Sequence, residues 1–188
     1  MYTARCTRKV LQAMHLPAAA QDQPPSTALD DWYVNFINLR NHRLVHFVSD
    51  RSLLSVLVPV RTLKTALDRH IASLHALLED LGVPPAIVQA ELDEMRQRAV
   101  AKTQSRSVLA SMRDLALSDR WILARTPGAS PLDISHELAE VPCGPLAMAF
   151  PARGGDRPAS EAPLKPDRRR ALRLTTRWSR PGRPSVWL

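Results

Sequence analysis

Three consecutive segments rich in aromatic and β-branched residues constrain this fold more than any other feature of the sequence. They span residues 31–39, 44–48 and 52–58, and only a few residues separate each from the next. Such short connections favour antiparallel pairing, because parallel strands need a long crossover. The third segment is apolar at successive positions and ends at Pro59, a pattern typical of a strand that is covered on both faces. The sequence therefore predicts a meander.

Helical periodicity dominates the chain after this meander. Large apolar residues recur at steps of three and four from residue 62 to residue 81, and Gly82 stands where a helix commonly ends. Further helices are predicted at residues 8–15, from residue 84 onward, at residues 105–117 and at residues 130–139. Residues 121–123 are expected to continue the buried apolar surface, and residues 2–6 and 99–102 are candidate strands. The predicted fold is α+β, a small antiparallel meander of three to four strands covered by about five α-helices.

Charge divides the chain at Pro151. The formal net charge of the whole chain is +8. Residues 1–151 contain 16 Lys and Arg against 15 Asp and Glu, whereas residues 152–188 contain 10 against 3, together with five prolines. A segment of the second kind has too little apolar surface to form a core. We predict one nearly neutral domain at residues 1–151 and a disordered basic tail at residues 152–188.

The cellular location follows from two further observations. No apolar stretch approaches the roughly 20 residues of a membrane-spanning helix, and residues 1–20 lack the pattern of a signal peptide. The two cysteines, Cys6 and Cys143, are far apart in the sequence and are expected to be reduced thiols. We predict a cytoplasmic protein that does not associate with membranes.

Two polar clusters are candidates for a ligand or partner surface. Their residues are Asp31, Trp32, Asn35, Arg106, Ser107, Ser111, Arg113 and Asp114. Free N–H groups at a helix start beside Arg106 favour a phosphate or carboxylate. Arg106 and Arg113 are seven residues apart and therefore share a helix face, as a strip along a nucleic-acid backbone would. The structural alternatives are a core role for Trp32, helix caps for the serines and a solvated face for the arginines.

Catalytic and metal-binding patterns are not recognisable in the sequence. It contains no Cys-x-x-Cys, no His-Glu-x-x-His, no Gly-x-Ser-x-Gly and no glycine-rich phosphate loop. His70 and His75 are five residues apart on a predicted helix, and their side chains diverge by roughly 140°. We expect neither a metal site nor a cofactor.

The predicted tail has a binding chemistry of its own. Its arginines are interleaved with Trp178 and Trp187, a combination that suits phosphate contact and base stacking. The candidate nucleic-acid contacts are Arg168, Arg169, Arg170, Arg173 and Arg177. An unselected extension of a GC-rich reading frame has the same composition, so both interpretations stay open.

Four pieces of the sequence also carry a resemblance to a known family. They are residues 5–9 (RCTRK), 31–35 (DWYVN), 44–53 (LVHFVSDRSL) and 105–114 (SRSVLASMRD). In this order they resemble the small bacterial proteins of domain-of-unknown-function family 6933, over residues 1–151. Ala110 and Arg113 stand where members usually have glycine and asparagine. The resemblance implies a single domain and supplies no activity.

Three functional hypotheses follow. The first is a non-enzymatic interaction or regulatory module that binds a protein or a nucleic acid through a sheet edge or through the Arg106 and Arg113 helix. It is preferred because the sequence has no catalytic pattern. The second is an enzyme of unrecognised type that uses both polar clusters in one cleft. The third is nucleic-acid binding through the tail.

Overall fold

Five strands and five helices occupy the part of the chain that the computed structural model describes, namely residues 1–15, 24–39, 42–60, 63–143, 146 and 150–153. Their order is β1 (Tyr2–Cys6), α1 (Arg8–Met14), β2 (Trp32–Leu39), β3 (His42–Ser49), β4 (Ser55–Pro59), α2 (Leu63–Asp80), α3 (Pro85–Glu94), β5 (Arg98–Lys102), α4 (Arg106–Arg125) and α5 (Pro131–Ala139). A short 3-10 helix follows at Pro151–Arg153. The α+β class is confirmed. Residues 154–188, which include the five candidate arginines of the predicted tail, lie outside the described residues.

The sheet is mixed, with the strand order β4-β3-β2-β1-β5. Strands β2, β3 and β4 form the predicted antiparallel meander, in which Tyr33 pairs with Val48 and Val45 with Val58. Strand β1 pairs in parallel with both β2 and β5. The prediction of three to four antiparallel strands is therefore wrong in strand number and direction. Both parallel pairings join segments that are distant in sequence, and local patterns carry no information on such pairing.

Side chains alternate between two apolar layers on opposite faces of the sheet. On β2, Trp32 and Val34 belong to the first layer, which α1, α2 and α3 cover, whereas Tyr33 and Leu39 belong to the second layer, which α4 and α5 cover. On β4, Val56 faces the first layer and Leu57 the second. Strand β4 lies in the third apolar segment of the sequence, and the prediction that this segment is covered on both faces is confirmed.

Helix α5 protects the edge of β4. It begins with a capping box, because the Ser130 hydroxyl accepts a hydrogen bond from the Asp133 N–H and the Asp133 carboxylate accepts one from the Ser130 N–H. One turn later, the Ser135 hydroxyl accepts a hydrogen bond from the Leu57 N–H at 2.9 Å and donates one to the Pro131 carbonyl at 2.7 Å. The edge of β4 is therefore not free for a partner strand at Leu57.

Helix α4 continues two turns beyond its predicted end at Leu117. Ile122 and Leu123 extend the inward-facing series that Met112 and Leu115 begin, so the same apolar layer holds the additional turns. In the described part of the chain, none of the helices combines the length and the apolar composition that crossing a membrane requires.

Candidate functional site

The start of helix α4 is fixed to the sheet by Tyr33. The Ser105 N–H donates a hydrogen bond to the Tyr33 hydroxyl at 2.9 Å, and the Ser105 hydroxyl caps the helix by accepting one from the Val108 N–H at 3.3 Å. Burial raises the pKa of Tyr33. The helix therefore starts beside β2, on the second face of the sheet.

Helix α4 has two sharply different sides. The buried side consists of Val108, Ser111, Met112, Leu115, Asp119, Ile122 and Leu123. The opposite side is exposed and consists of Arg106, Ala110, Arg113, Leu117, Arg120, Trp121 and Ala124. At 100° per residue, these seven positions fall within an arc of about 100°. We call them the outer stripe of α4.

Two large apolar side chains of the outer stripe are open to solvent. The exposed fraction is 73% for Trp121 and 56% for Leu117. Among the described residues, Leu132, at 37%, is the one other large apolar residue that is classed as exposed. Trp121 is four residues after Leu117, so the two side chains are neighbours on the helix surface. The expectation that Trp121 continues the buried surface is wrong, because its position in the helical period is opposite to that of Met112 and Leu115.

Three arginines of the outer stripe repeat at intervals of seven residues. Arg106, Arg113 and Arg120 are therefore roughly 10.5 Å apart along the helix axis, and all three are exposed. None of them forms an ion pair within the described part of the chain. Asp114 is exposed beside the stripe. It is the acidic residue nearest to Arg113 in the sequence. The stripe is consequently cationic along its length.

The cationic character extends beyond the beginning of α4. Lys102 is exposed at the end of β5, and Arg8 and Lys9 are exposed at the start of α1. Because Cys6 of β1 pairs with Lys102 of β5, the ends of these two strands lie side by side. No acidic residue occurs between residues 95 and 113.

The first polar cluster belongs to the interior. Asp31 is 1% exposed. Its carboxylate accepts hydrogen bonds from Arg5 Nε at 2.8 Å and from the Thr3 N–H at 3.0 Å. Burial raises the pKa of Asp31, and the charge of Arg5 and the Thr3 N–H oppose this rise. Arg5 is a functional residue that the sequence patterns above do not include, although a charged residue within the short segment YTARC indicates a buried partner.

Trp32 and Asn35 lie on opposite faces of the sheet. Trp32 is fully buried in the first layer, where its ring meets the ring of His70 edge-on at 4.5 Å. Asn35 is partly buried on the face of Tyr33, and its carbonyl oxygen accepts a hydrogen bond from the Thr7 hydroxyl at 3.0 Å. Neither Asp31 nor Trp32 therefore lies on an exposed partner surface in this structure.

The second polar cluster is divided between the two sides of α4. Arg106 and Arg113 lie on the outer stripe and Asp114 beside it. Ser107 is partly buried, and the buried Ser111 hydroxyl donates a hydrogen bond to the Ser107 carbonyl at 3.1 Å. The structure thus brings the arginines together with Leu117 and Trp121, and it does not gather the eight predicted residues into one cleft.

His46, His70 and Asp119 are further titratable groups of the core. Burial lowers the pKa of His46 to about 4 and that of His70 to about 3. Burial also raises the pKa of Asp119 to about 7, and neither of its carboxylate oxygens has a hydrogen-bond partner. Across the described ranges, no three His, Cys, Asp or Glu side chains are placed to hold a metal ion together.

A shallow groove of about 400 Å³ separates α2 from α5 above β4. Its lining is mostly small or apolar and includes Ala72, Ser73, Ala76 and Leu132, with Arg69 as the one charged side chain. None of the predicted site residues lines it. The groove therefore offers no cluster of groups suited to catalysis.

The fold and the surface define a small α+β domain with a mixed sheet and a cationic outer helix that carries an exposed tryptophan. Residues 3–153 match the sequence profile of the family described as Domain of unknown function (DUF6933), and the chain belongs to this family. The resemblance inferred from the four sequence pieces is confirmed, and the description of the family assigns no activity. No curated protein and no solved structure matches the chain.

Proposed function

We propose that this domain is a non-enzymatic interaction module and that the outer stripe of α4 is its partner surface. The observation that carries the proposal is the 73% exposure of Trp121 on the stripe that also holds Arg106, Arg113 and Arg120. Tryptophan and arginine are the residue types that contribute most to binding energy at interfaces. Trp121 and its exposed neighbour Leu117 form contiguous apolar surface, which is typical of a surface that a partner covers.

The rigidity of α4 supports this proposal. Its buried side packs on the second layer of the sheet through residues such as Val108, Met112 and Ile122, and Tyr33 holds its first turn. The outer side chains are therefore presented on a backbone that is already ordered. Binding then costs only the ordering of the side chains and of the partner.

The engagement of the polar clusters favours an interaction module over an enzyme. Asp31 is committed to Arg5, and the Thr7 hydroxyl is committed to Asn35. The Ser111 hydroxyl bonds to the preceding turn of its own helix. These bonds hold elements of the fold together, whereas a general acid or base must lie within hydrogen-bond reach of a bound substrate.

A cytoplasmic location in a bacterial cell is part of the same proposal. Cys6 and Cys143 are both free and buried, as is usual in a reducing compartment. Nucleic-acid binding through Arg168–Arg170, Arg173 and Arg177 is a separate proposal, and it concerns residues outside the described ranges. Removal of residues 152–188 is expected to weaken retention on a polyanion column at moderate salt, and unchanged retention would reject that proposal.

Photo-crosslinking at two matched alanines tests the partner surface. Ala124 lies on the outer stripe beside Trp121, and Ala90 is exposed on α3. A photoreactive phenylalanine derivative is placed at either position in the full chain, and living cells are irradiated. We expect an adduct from position 124 that disappears in the Trp121→Ala background, and none from position 90. Equal adducts from both positions, or no adduct from position 124, would reject the partner surface.

A further inference from the structure

We infer that the outer stripe of α4 binds single-stranded nucleic acid, with its arginines on phosphates about three nucleotides apart and a base stacked on Trp121. This inference rests on the proposed function, because it names the class of partner for the same surface. It concerns the folded domain and is independent of the arginines in residues 154–188.

The spacing of the arginines fits a strand that runs along the helix. Arg106, Arg113 and Arg120 cover roughly 21 Å of the helix axis. At about 3.4 Å per stacked nucleotide, this length corresponds to about six nucleotides. Each of the three side chains is exposed and unpaired within the described residues, and a guanidinium group matches a phosphate with two parallel hydrogen bonds.

Trp121 distinguishes a single strand from a duplex. Its indole is exposed on the same stripe as the arginines, and Leu117 is next to it. A single strand can place the flat face of a base on such a ring, because its bases are not enclosed in a stack of pairs. A duplex presents only base edges in its grooves, so Trp121 would have no stacking partner there.

The same residues fit two other anionic partners less well. An acidic peptide offers carboxylates to the arginines, but it has no flat ring for Trp121 unless it is also aromatic. An anionic membrane requires a continuous apolar face on the helix, whereas arginines interrupt this stripe on both sides of Leu117. Both partners are outcomes of the experiment below.

Tryptophan fluorescence of the full chain provides the test. Trp178 and Trp187 are replaced by Phe, so that the buried Trp32 and the exposed Trp121 are the remaining indoles. The protein is titrated with 12-nucleotide oligouridylate or oligothymidylate, and with an abasic oligonucleotide of equal length. We expect quenching by both base-containing strands and weaker binding without quenching for the abasic strand. The ratio of the two base-containing affinities separates RNA from DNA.

Substitutions in the same background assign the binding to the stripe. Trp121→Ala is expected to abolish the quenching and to weaken binding on the order of tenfold or more. The pair Arg106→Ala and Arg113→Ala is expected to reduce the slope of log affinity against log salt by about 1.4, since each phosphate contact of a single strand contributes about 0.7. Arg69→Ala with Arg96→Ala removes two exposed arginines outside the stripe and serves as the control.

Two results would overturn the inference. The first is an oligonucleotide affinity that both Trp121→Ala and the Arg106 and Arg113 pair leave unchanged. The second is tighter binding to polyglutamate, or to phosphatidylglycerol vesicles, than to either base-containing strand. If either result comes with an intact Ala124 crosslink, only the partner class is rejected. Loss of that crosslink as well rejects the partner surface itself.

Discussion

Arg5 donates from both Nε and Nη2 to one carboxylate oxygen of Asp31, at 2.8 and 2.7 Å. The pair is buried, and it joins β1 to the residue that precedes β2. It therefore helps to specify a parallel strand pairing that the local sequence does not reveal.

Replacing one member of this pair is expected to be much worse than neutralising both. Arg5→Met leaves the buried Asp31 carboxylate without its counter-ion, and we expect a loss of about 3–5 kcal/mol in the free energy of unfolding. Arg5→Met combined with Asp31→Asn retains an acceptor for the Thr3 N–H and is expected to recover much of this loss. Urea denaturation measures both effects. Arg96→Met breaks the exposed pair with Asp93 and should change little. If Arg96→Met lowers the free energy of unfolding as much as Arg5→Met does, the buried pair stabilises the fold no more than an exposed pair.

Asp119 is expected to lower stability at neutral and alkaline pH. Its pKa is raised from 3.8 to about 7 by burial, so the unfolded chain loses this proton at a lower pH than the folded chain. Stability therefore falls as the pH rises from about 4 to about 7, by an amount on the order of 4 kcal/mol. Asp119→Asn should remove this dependence and make the protein more stable than the native chain at pH 8.

Asp114→Asn is the matched control for Asp119, since Asp114 is exposed on the same helix. It should leave the pH dependence unchanged. Identical pH profiles for the native chain and Asp119→Asn, measured by thermal unfolding from pH 4 to pH 8, would contradict the assignment.

His70 is expected to make the fold sensitive to acid. Its ring stacks on that of Phe47 at 4.0 Å, and burial lowers its pKa from 6.5 to about 3. The neutral His70 ring makes its full contribution to stability above pH 6.5. This contribution is lost as the pH falls from 6.5 towards 3, and the loss is roughly 3 kcal/mol at pH 4. His70→Phe should reduce the destabilisation between pH 7 and pH 4, as followed by urea denaturation. His75→Phe, at an exposed position of α2, should not reduce it, and a similar reduction in both variants would argue against His70.

The Ser135 hydroxyl is expected to protect the Leu57 amide at the edge of β4 from hydrogen exchange. Ser135→Ala leaves the Leu57 N–H without its acceptor, and such a buried, unsatisfied group costs about 1–3 kcal/mol. Hydrogen exchange of the Leu57 amide should accelerate more than that of the Val58 amide. Ser118→Ala removes an exposed serine hydroxyl that bonds to the Asp114 carbonyl and should have neither effect. Unchanged exchange at Leu57 would show that α5 does not protect this edge.

Local sequence patterns predict the meander, helix α2 and the start of α5 at its capping box. In each of these elements the signal lies within a few residues, as with Ser130 and Asp133. Local patterns do not predict the parallel pairing, because β1 and β5 are separated by most of the sequence of the domain. Arg5 of β1 contributes to this pairing through Asp31, but the sequence of either strand does not identify the neighbouring strand or its direction.

The candidate site was predictable only in part. The seven-residue spacing of Arg106 and Arg113 correctly placed both on one face of α4. The same period applied to the following residues places Arg120 and Trp121 with them, whereas the apolar composition of residues 121–123 favours burial of all three. A helix distributes such a segment over both of its sides, and this is why Trp121 is exposed while Ile122 is buried.

The most direct test for a partner on the outer stripe of α4 is the oxidation of Trp121 by hydroxyl radicals, in the purified protein and in living cells. Trp121 is expected to be oxidised rapidly in the purified protein, as its exposure requires, and to be protected severalfold in cells. His75, which is exposed on α2, provides the reference for general shielding. If Trp121 is oxidised in cells as fast as in the purified protein, relative to His75, no partner covers the outer stripe of α4.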